Sequence, residues 1–183
     1  MLRLLIVAVA LSLAGRGEAD TMFTLTSTDI APSSTIGRAH VYQGFGCKGD
    51  NRSPALTWSG TPPGTRSFAL TVFDPDAPTG HGWWHWLLVD LPPDTTALPG
   101  GAGTADSSQL PAGSLQLRND YGAVGYGGPC PPPGHGPHRY VFTVYALKVP
   151  RLGLPVDATA AKADAAIRAA TLAQASFTAT YGR

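Results

Sequence analysis

A small set of side chains in the middle of the chain could bind an anion or attack a substrate. His85 stands between two tryptophans in the apolar run WWHWLLVDL (83–91), where a titratable imidazole needs a specific role. Asp74 opens the segment DPDAP, His138 opens HRY, and Cys130 lies in GGPCPPPG. An imidazole beside a carboxylate is held in one tautomer and can carry positive charge. Two imidazoles facing the N–H groups of a glycine-rich turn would form a compact site for a phosphate, a phosphomonoester or a carboxylate.

The same side chains also fit two kinds of hydrolase. Cys130 could act as a nucleophile with His138, because a nearby base lowers the pKa of a thiol. His85 with Asp74 could serve a phosphatase-like hydrolase. The sequence contains no G-x-S-x-G, H-E-x-x-H or Walker-type motif, so an enzyme lacks its usual sequence signature. We therefore expect a binding protein, with either hydrolase as the alternative.

Four histidines form an H-x3-H and an H-x2-H pair, which raises the question of a metal site. They are His81, His85, His135 and His138. Positions four apart on a strand are separated by about 13 Å at ~3.3 Å per residue, too far to share one zinc ion. His81 and His135 lie among glycines and prolines, which is typical of solvated loops. We predict no metal and no cofactor.

The first 19 residues have the pattern of an export signal. Met-Leu-Arg is followed by the apolar run 4–14 and by Gly17 and Ala19 at the −3 and −1 positions of a cleavage site. A membrane anchor is the alternative, but the apolar run is much shorter than the roughly 20 residues that span a bilayer. We expect a mature protein that begins near Asp20, is periplasmic or secreted, and has no membrane span.

Composition limits the remaining possibilities. The chain has 183 residues, of which 43% are hydrophobic and 14% charged, enough for one core, so we expect a single domain over 20–183. The formal net charge is +1, and no Lys/Arg cluster is present that would attract nucleic acid.

Export to an oxidising compartment favours a disulfide between Cys47 and Cys130, with free thiols as the alternative.

The chain is predicted to be mainly β, because it contains six β-branched and aromatic runs bounded by turn residues. These runs are 23–28, 54–60, 66–74, 83–91, 139–149 and 176–182. We expect 66–74, 83–91 and 139–149 to be central strands, since the first and last are apolar on both faces. The alanine-rich segment 156–175 predicts one helix with Asp157 as its N-cap. The Gly- and Pro-rich region 92–135 predicts long loops.

Five ordered motifs carry a resemblance that covers most of the chain. They are NRSPALTW, DPDAP, GWWHW, RNDYGAVGYGGPCPPPG and GPHRYVFTVYAL. Together they resemble the phosphatidylethanolamine-binding protein family, in its bacterial branch called Raf-kinase-inhibitor-like. The resemblance implies a large antiparallel sheet packed on a smaller sheet, with short peripheral helices and an anion pocket at one end. It also implies regulation of a partner such as a kinase or a protease.

Carried onto this sequence, the family's pocket comprises nine residues. They are Asp74, Ala77, Pro78, Trp83, His85, Gly128, Pro129, His138 and Tyr140. The chain departs from relatives in higher organisms at the rim, where it has Tyr126 in place of a glycine and inserts Cys130 and three prolines. Tyr181 ends a strand and is left out of the site.

Strand alternation leads to specific expectations for the pocket. His85 should share a face with Trp83 and Leu87, opposite Trp84 and Trp86. Asp74 should orient His85 and raise its pKa, so that anions bind more tightly as the pH falls from about 8 to 6. Asp76, two residues further along an irregular segment, should brace its loop through hydrogen bonds to the backbone.

Overall fold

A computed structural model describes residues 22–183, and the predicted export signal lies outside them. The elements in chain order are β1 (Thr24–Thr26), a 3₁₀ turn (Arg38–His40), β2 (Gln43–Gly44), β3 (Cys47–Lys48), β4 (Leu56–Ser59), β5 (Ser67–Asp74), β6 (Trp83–Leu91), β7 (Ala97–Leu98), β8 (Leu115–Gln116), β9 (His138–Leu147), α1 (Ala160–Ala170) and β10 (Thr171–Tyr181). Among residues 22–183, no helix has the length and apolar character needed to cross a membrane.

The larger sheet has five antiparallel strands in the order β10-β9-β5-β6-β8. The three strands predicted to be central, β5, β6 and β9, are the inner strands of this sheet. Their side chains are buried on both faces over most of their length. A continuous apolar run fits such a position because neither face of the strand meets water.

One face of this sheet packs on a smaller sheet of order β1-β4-β7. The main core between them includes Trp58 of β4, Phe68 of β5 and Phe142 of β9, each 2% exposed or less. The opposite face is covered by α1, where Ile167 packs against strand residues such as Leu87. Full burial of side chains of this size stabilises the fold by about 1.5–3 kcal/mol each.

The predicted helix over 156–175 was wrong at both ends. The helix spans Ala160–Ala170, and its N-cap is Thr159, which accepts a hydrogen bond from the Lys162 backbone N–H, so Asp157 does not cap it. From Thr171 the chain is β10, which pairs with the whole length of β9. Pairing with β9 satisfies a row of backbone groups, and this tertiary gain outweighs the helix preference of the alanines.

Candidate functional site

His85 is the extra residue of a β-bulge at the start of β6. Consecutive residues of β5 pair with Trp86 and Trp84, so His85 has no partner on that strand. The bulge breaks the predicted alternation of faces. Trp86 packs in the main core, whereas Trp84 and Leu87 both contact the cluster on the opposite face. The expectation that Leu87 shares a face with His85 was therefore wrong, because a bulge shifts the side-chain phase by one residue.

The His85 ring is 2% exposed and is held by the glycine-rich segment beside β6. Its Nδ1 lies 2.6 Å from the carbonyl oxygen of Gly127, and the Gly127 N–H donates to the His85 carbonyl at 2.8 Å. A carbonyl can only accept, so Nδ1 must carry the hydrogen and, in the neutral ring, Nε2 is an acceptor. The prediction that Asp74 orients His85 is replaced by this pair of bonds to Gly127.

Burial decides the protonation state of His85. It lowers the pKa of the imidazole from its ordinary value near 6.5 to about 4, although the Gly127 carbonyl and the charges of Asp74 and Asp120 oppose the shift. The expected upward shift of this pKa was wrong, because removing an ion from water outweighs the attraction of a nearby carboxylate. His85 is neutral at pH 7.

Asp74 instead orients His138. Nδ1 of His138 donates to Oδ2 of Asp74 at 2.7 Å, and both side chains are almost fully buried. The other oxygen of Asp74 accepts from the backbone N–H of Asp76 at 2.8 Å. Nε2 of His138 lies 3.1 Å from Nδ1 of His135, whose side chain is exposed. The Asp74 carboxylate therefore fixes the tautomer of His138 at the start of β9.

Asp76 ties the DPDAP turn to β9, which confirms its predicted bracing role. Its carboxylate accepts from the backbone N–H of Arg139 at 2.9 Å and from the guanidinium of the same residue at 2.6 Å. These bonds to Arg139 lower the pKa of Asp76 to about 2. The turn between Asp74 and the glycines before β6 is thereby held beside His138.

These elements enclose a cavity of about 420 Å³. Seven of the nine predicted site residues line it, namely Asp74, Ala77, Pro78, Trp83, His85, His138 and Tyr140. Three buried atoms of this lining, Nε1 of Trp83, Nε2 of His85 and the hydroxyl of Tyr140, have no hydrogen-bond partner among residues 22–183. Buried polar groups are nearly always paired, so three unpaired atoms on residues of one cavity are candidates for contacts with a bound molecule.

The other two predicted residues, Gly128 and Pro129, are not among the residues that line the cavity. The Gly128 N–H donates to Oδ1 of Asn51, and the carbonyl of Pro129 accepts from the Tyr42 backbone N–H. The Gly127 N–H is likewise used by His85. The expected cluster of free backbone N–H groups facing an anion is therefore not formed by this turn, whose N–H groups brace its neighbours.

Sequence reasoning missed Tyr121, which forms part of the cavity wall. Its ring centroid lies 5.5 Å from that of His85 and 5.3 Å from that of Trp83, and it stacks on Tyr42 at 3.9 Å. Its hydroxyl donates to the carbonyl of Gly128 at 2.9 Å. Tyr121 lies in an irregular segment, where no repeating pattern predicts the direction of a side chain. The only available signal in the sequence was its position in the RNDYG motif.

The rim of the cavity is cross-linked. Cys47 and Cys130 form the predicted disulfide, which leaves no thiol on Cys130 and removes the cysteine hydrolase alternative. The guanidinium of Arg183 donates to the carbonyls of Pro131 at 2.6 Å and Phe45 at 3.2 Å, on the two sides of this bridge. A cation is thus placed at the mouth of a cavity whose buried carboxylate, Asp74, is already bonded.

The described residues contain no group of three or more His, Cys, Asp or Glu side chains arranged to hold a metal ion.

Comparison with known proteins gives a consistent result. The sequence model of the family described as "Phosphatidylethanolamine-binding protein" matches residues 26–182. The chain is 44% identical to the UPF0098 protein YbcL of Escherichia coli over 180 residues, 98% of both chains. The crystal structure of YbcL, described as a new member of the mammalian PEBP family, matches with a TM-score of 0.87 and 47% identity, covering 88% of this chain and 98% of that one. The putative lipoprotein LppC of Mycobacterium tuberculosis is 43% identical over 137 residues, 75% of this chain and 63% of LppC.

Proposed function

Because the chain belongs to the phosphatidylethanolamine-binding protein family, we propose that it is an exported binding protein whose cavity takes a small anion with a phosphate or carboxylate group. One observation carries the proposal. Trp83, His85 and Tyr140 all line the same cavity, and each has a buried polar atom with no partner among the described residues. An unpaired buried polar group costs about 1–3 kcal/mol, so a ligand that pairs all three would recover a large free energy.

Each group has a distinct role in this proposal. Burial raises the pKa of Tyr140 above its ordinary value, so its phenol stays protonated and can donate to an oxyanion. The indole N–H of Trp83 can only donate. Arg183 at the rim attracts an anion, and the apolar prolines of the wall exclude water, which strengthens the polar contacts inside.

The geometry also weakens the second hydrolase alternative. Asp74 bonds to His138 and not to His85. A His85 whose pKa is lowered to about 4 is a poor general base at neutral pH. We therefore keep the binding function and propose neither hydrolase.

Two observations support export. A disulfide persists in oxidising compartments, and the similar protein LppC is named a putative lipoprotein. The proposal therefore keeps residues 1–19 as an export signal and 20–183 as one binding domain, located in the periplasm or secreted. It includes regulation of a protein partner, such as a kinase or protease, through the surface around the pocket.

Calorimetry with methyl phosphate tests the binding site. Tyr140→Phe should weaken binding by about 1.5–3 kcal/mol, the range for a hydrogen bond to a charged group, and should not lower the stability of the ligand-free protein. No described residue pairs with this hydroxyl, so its removal breaks no bond within the protein. Tyr126→Phe is the matched control, because its buried hydroxyl donates to the carbonyl of His40 at 2.9 Å. That variant should lose stability and keep its affinity.

Two results would contradict the proposal. The wild-type protein could fail to bind methyl phosphate at millimolar concentration, or the folded Tyr140→Phe protein could bind it as tightly as the wild type.

A further inference from the structure

We propose that the cavity selects the singly protonated form of a phosphomonoester, and that Nε2 of His85 is the acceptor that recognises its proton. The inference deepens the binding function proposed above and rests on it. It assigns a specificity-determining role to His85 that differs from the usual expectation of a cationic histidine on an anion.

The hydrogen-bond partner of Nδ1 fixes the tautomer of His85. Its Nδ1 faces the Gly127 carbonyl at 2.6 Å and must therefore donate. Nε2 of the neutral ring then carries a lone pair, is buried, and has no partner among the described residues. A fully deprotonated phosphate offers no hydrogen to this atom, so the two would repel each other.

The surroundings of His85 keep the proton on the ligand. Asp74 of β5 and Asp120 of the segment after β8 are the carboxylates near the ring, and Tyr121 and Tyr140 face it edge-on. Both carboxylates are already bonded, Asp74 to His138 and Asp120 to the Trp84 backbone N–H at 2.7 Å. Despite these charges, burial holds the pKa of His85 near 4. The second pKa of a phosphomonoester is about 6, so the ester binds the proton more strongly.

The hydrogen-bonding capacity of the cavity matches this ligand. A singly protonated phosphomonoester has one P–OH group and two unprotonated oxygens that share the negative charge. Among the residues that line the cavity, the buried atoms without a partner are one acceptor, Nε2 of His85, and two groups that can donate, the Trp83 indole N–H and the Tyr140 hydroxyl. A methyl sulfate ion has the same shape and charge but no hydrogen, so it would leave the His85 lone pair unpaired.

Competing these two esters tests the inference. Calorimetry at pH 5.5, 6.5 and 7.5 should show methyl phosphate binding about tenfold or more tightly than methyl sulfate at the lowest pH, as expected when a buried acceptor is left unpaired. Above the second pKa of the ester, near 6, its affinity should fall by up to about tenfold per pH unit. The affinity for methyl sulfate should change much less.

His85→Asn is the informative variant. The asparagine amide can take the place of Nδ1 and keep the donation to Gly127, but it has no atom at the position of Nε2. The preference for methyl phosphate over methyl sulfate should fall to about onefold in this variant, the value expected when no acceptor stands at the position of Nε2. His81→Asn, a change at an exposed residue outside the cavity lining, should keep the wild-type preference.

The outcomes separate the two proposals. Equal affinity for both esters in the wild type would overturn the proton-recognition inference and leave the anion-binding function intact. Retention of the preference in His85→Asn would overturn the role of Nε2. Failure of both esters to bind would overturn the binding function, and the inference with it.

Discussion

Acidification should destabilise the protein through His85. The imidazole pKa is near its ordinary value of 6.5 in the unfolded chain and about 4 in the folded protein. Between pH 6.5 and pH 4 the imidazole is protonated in the unfolded state and neutral in the folded state. The free energy of unfolding should therefore be highest above pH 6.5 and decline as the pH falls toward 4.

The size of this effect follows from the gap between the two pKa values. Each unit corresponds to about 1.4 kcal/mol, so the loss should reach about 2 kcal/mol at pH 5 and about 3 kcal/mol at pH 4. Domains of this size are commonly stable by about 5–15 kcal/mol, which makes such a loss easy to measure.

Urea unfolding at pH 7, 6 and 5 measures this loss of unfolding free energy. The wild type is compared with His85→Asn. The variant has no imidazole at this position, so its stability should change less over the same interval. Asp76 does not interfere in this range, because its pKa is lowered to about 2 and its contribution is lost only as the pH falls below about 4. His81→Asn controls for an exposed imidazole and should follow the wild type.

The comparison of slopes gives a clear refutation. If His85→Asn and the wild type lost the same free energy of unfolding between pH 7 and 5, the pKa of His85 would not be lowered in the folded protein. His85 would then not be neutral at pH 5, and Nε2 could not act as the acceptor for a phosphomonoester proton.

Two further predictions concern the framework of the site. Replacing Cys47 and Cys130 together by serine should cost about 2–4 kcal/mol by urea unfolding, because the bridge closes a long loop; peptide mapping that found both thiols alkylatable in the exported protein would contradict the disulfide itself. Gly82→Ala should cost more than Gly80→Ala in thermal unfolding, although both have positive φ (77° and 83°), because only a Cβ at Gly82 would collide with the Phe73 ring. Equal losses in the two glycine variants would refute the steric reason.

The inner strands were predictable because runs of consecutive apolar residues indicate strands that are buried on both faces. Ser67–Asp74 and His138–Leu147 are apolar on both faces and rich in β-branched and aromatic side chains, which is typical of strands covered on both sides. The segment 171–175 was not predictable from local preference. Leu172 and Ala175 are compatible with a helix, and only the presence of β9 beside them makes a strand more favourable.

The sequence predicted which residues line the cavity more accurately than it predicted which of them bond to each other. Seven of the expected residues line the cavity, since the motifs that carry them also place them at strand ends. Asp74 was assigned to His85 but bonds to His138, because a bulge at His85 changes the direction of its ring and nothing in the sequence marks a bulge there. Burial of His85 beneath Tyr121 and Tyr140 was equally hidden, and it reversed the direction of the pKa shift.

Cys47 and Cys130 are 83 residues apart in sequence, and the disulfide between them also affects the consequence of proteolytic cleavage. The segment 104–113 between them is largely exposed and is an obvious place for cleavage. A single cut there would give two fragments that remain joined by the covalent bond and by the pairing of β5 with β9. The nicked protein would run as one species until reduced, and the cavity, whose walls come from both fragments, would stay assembled.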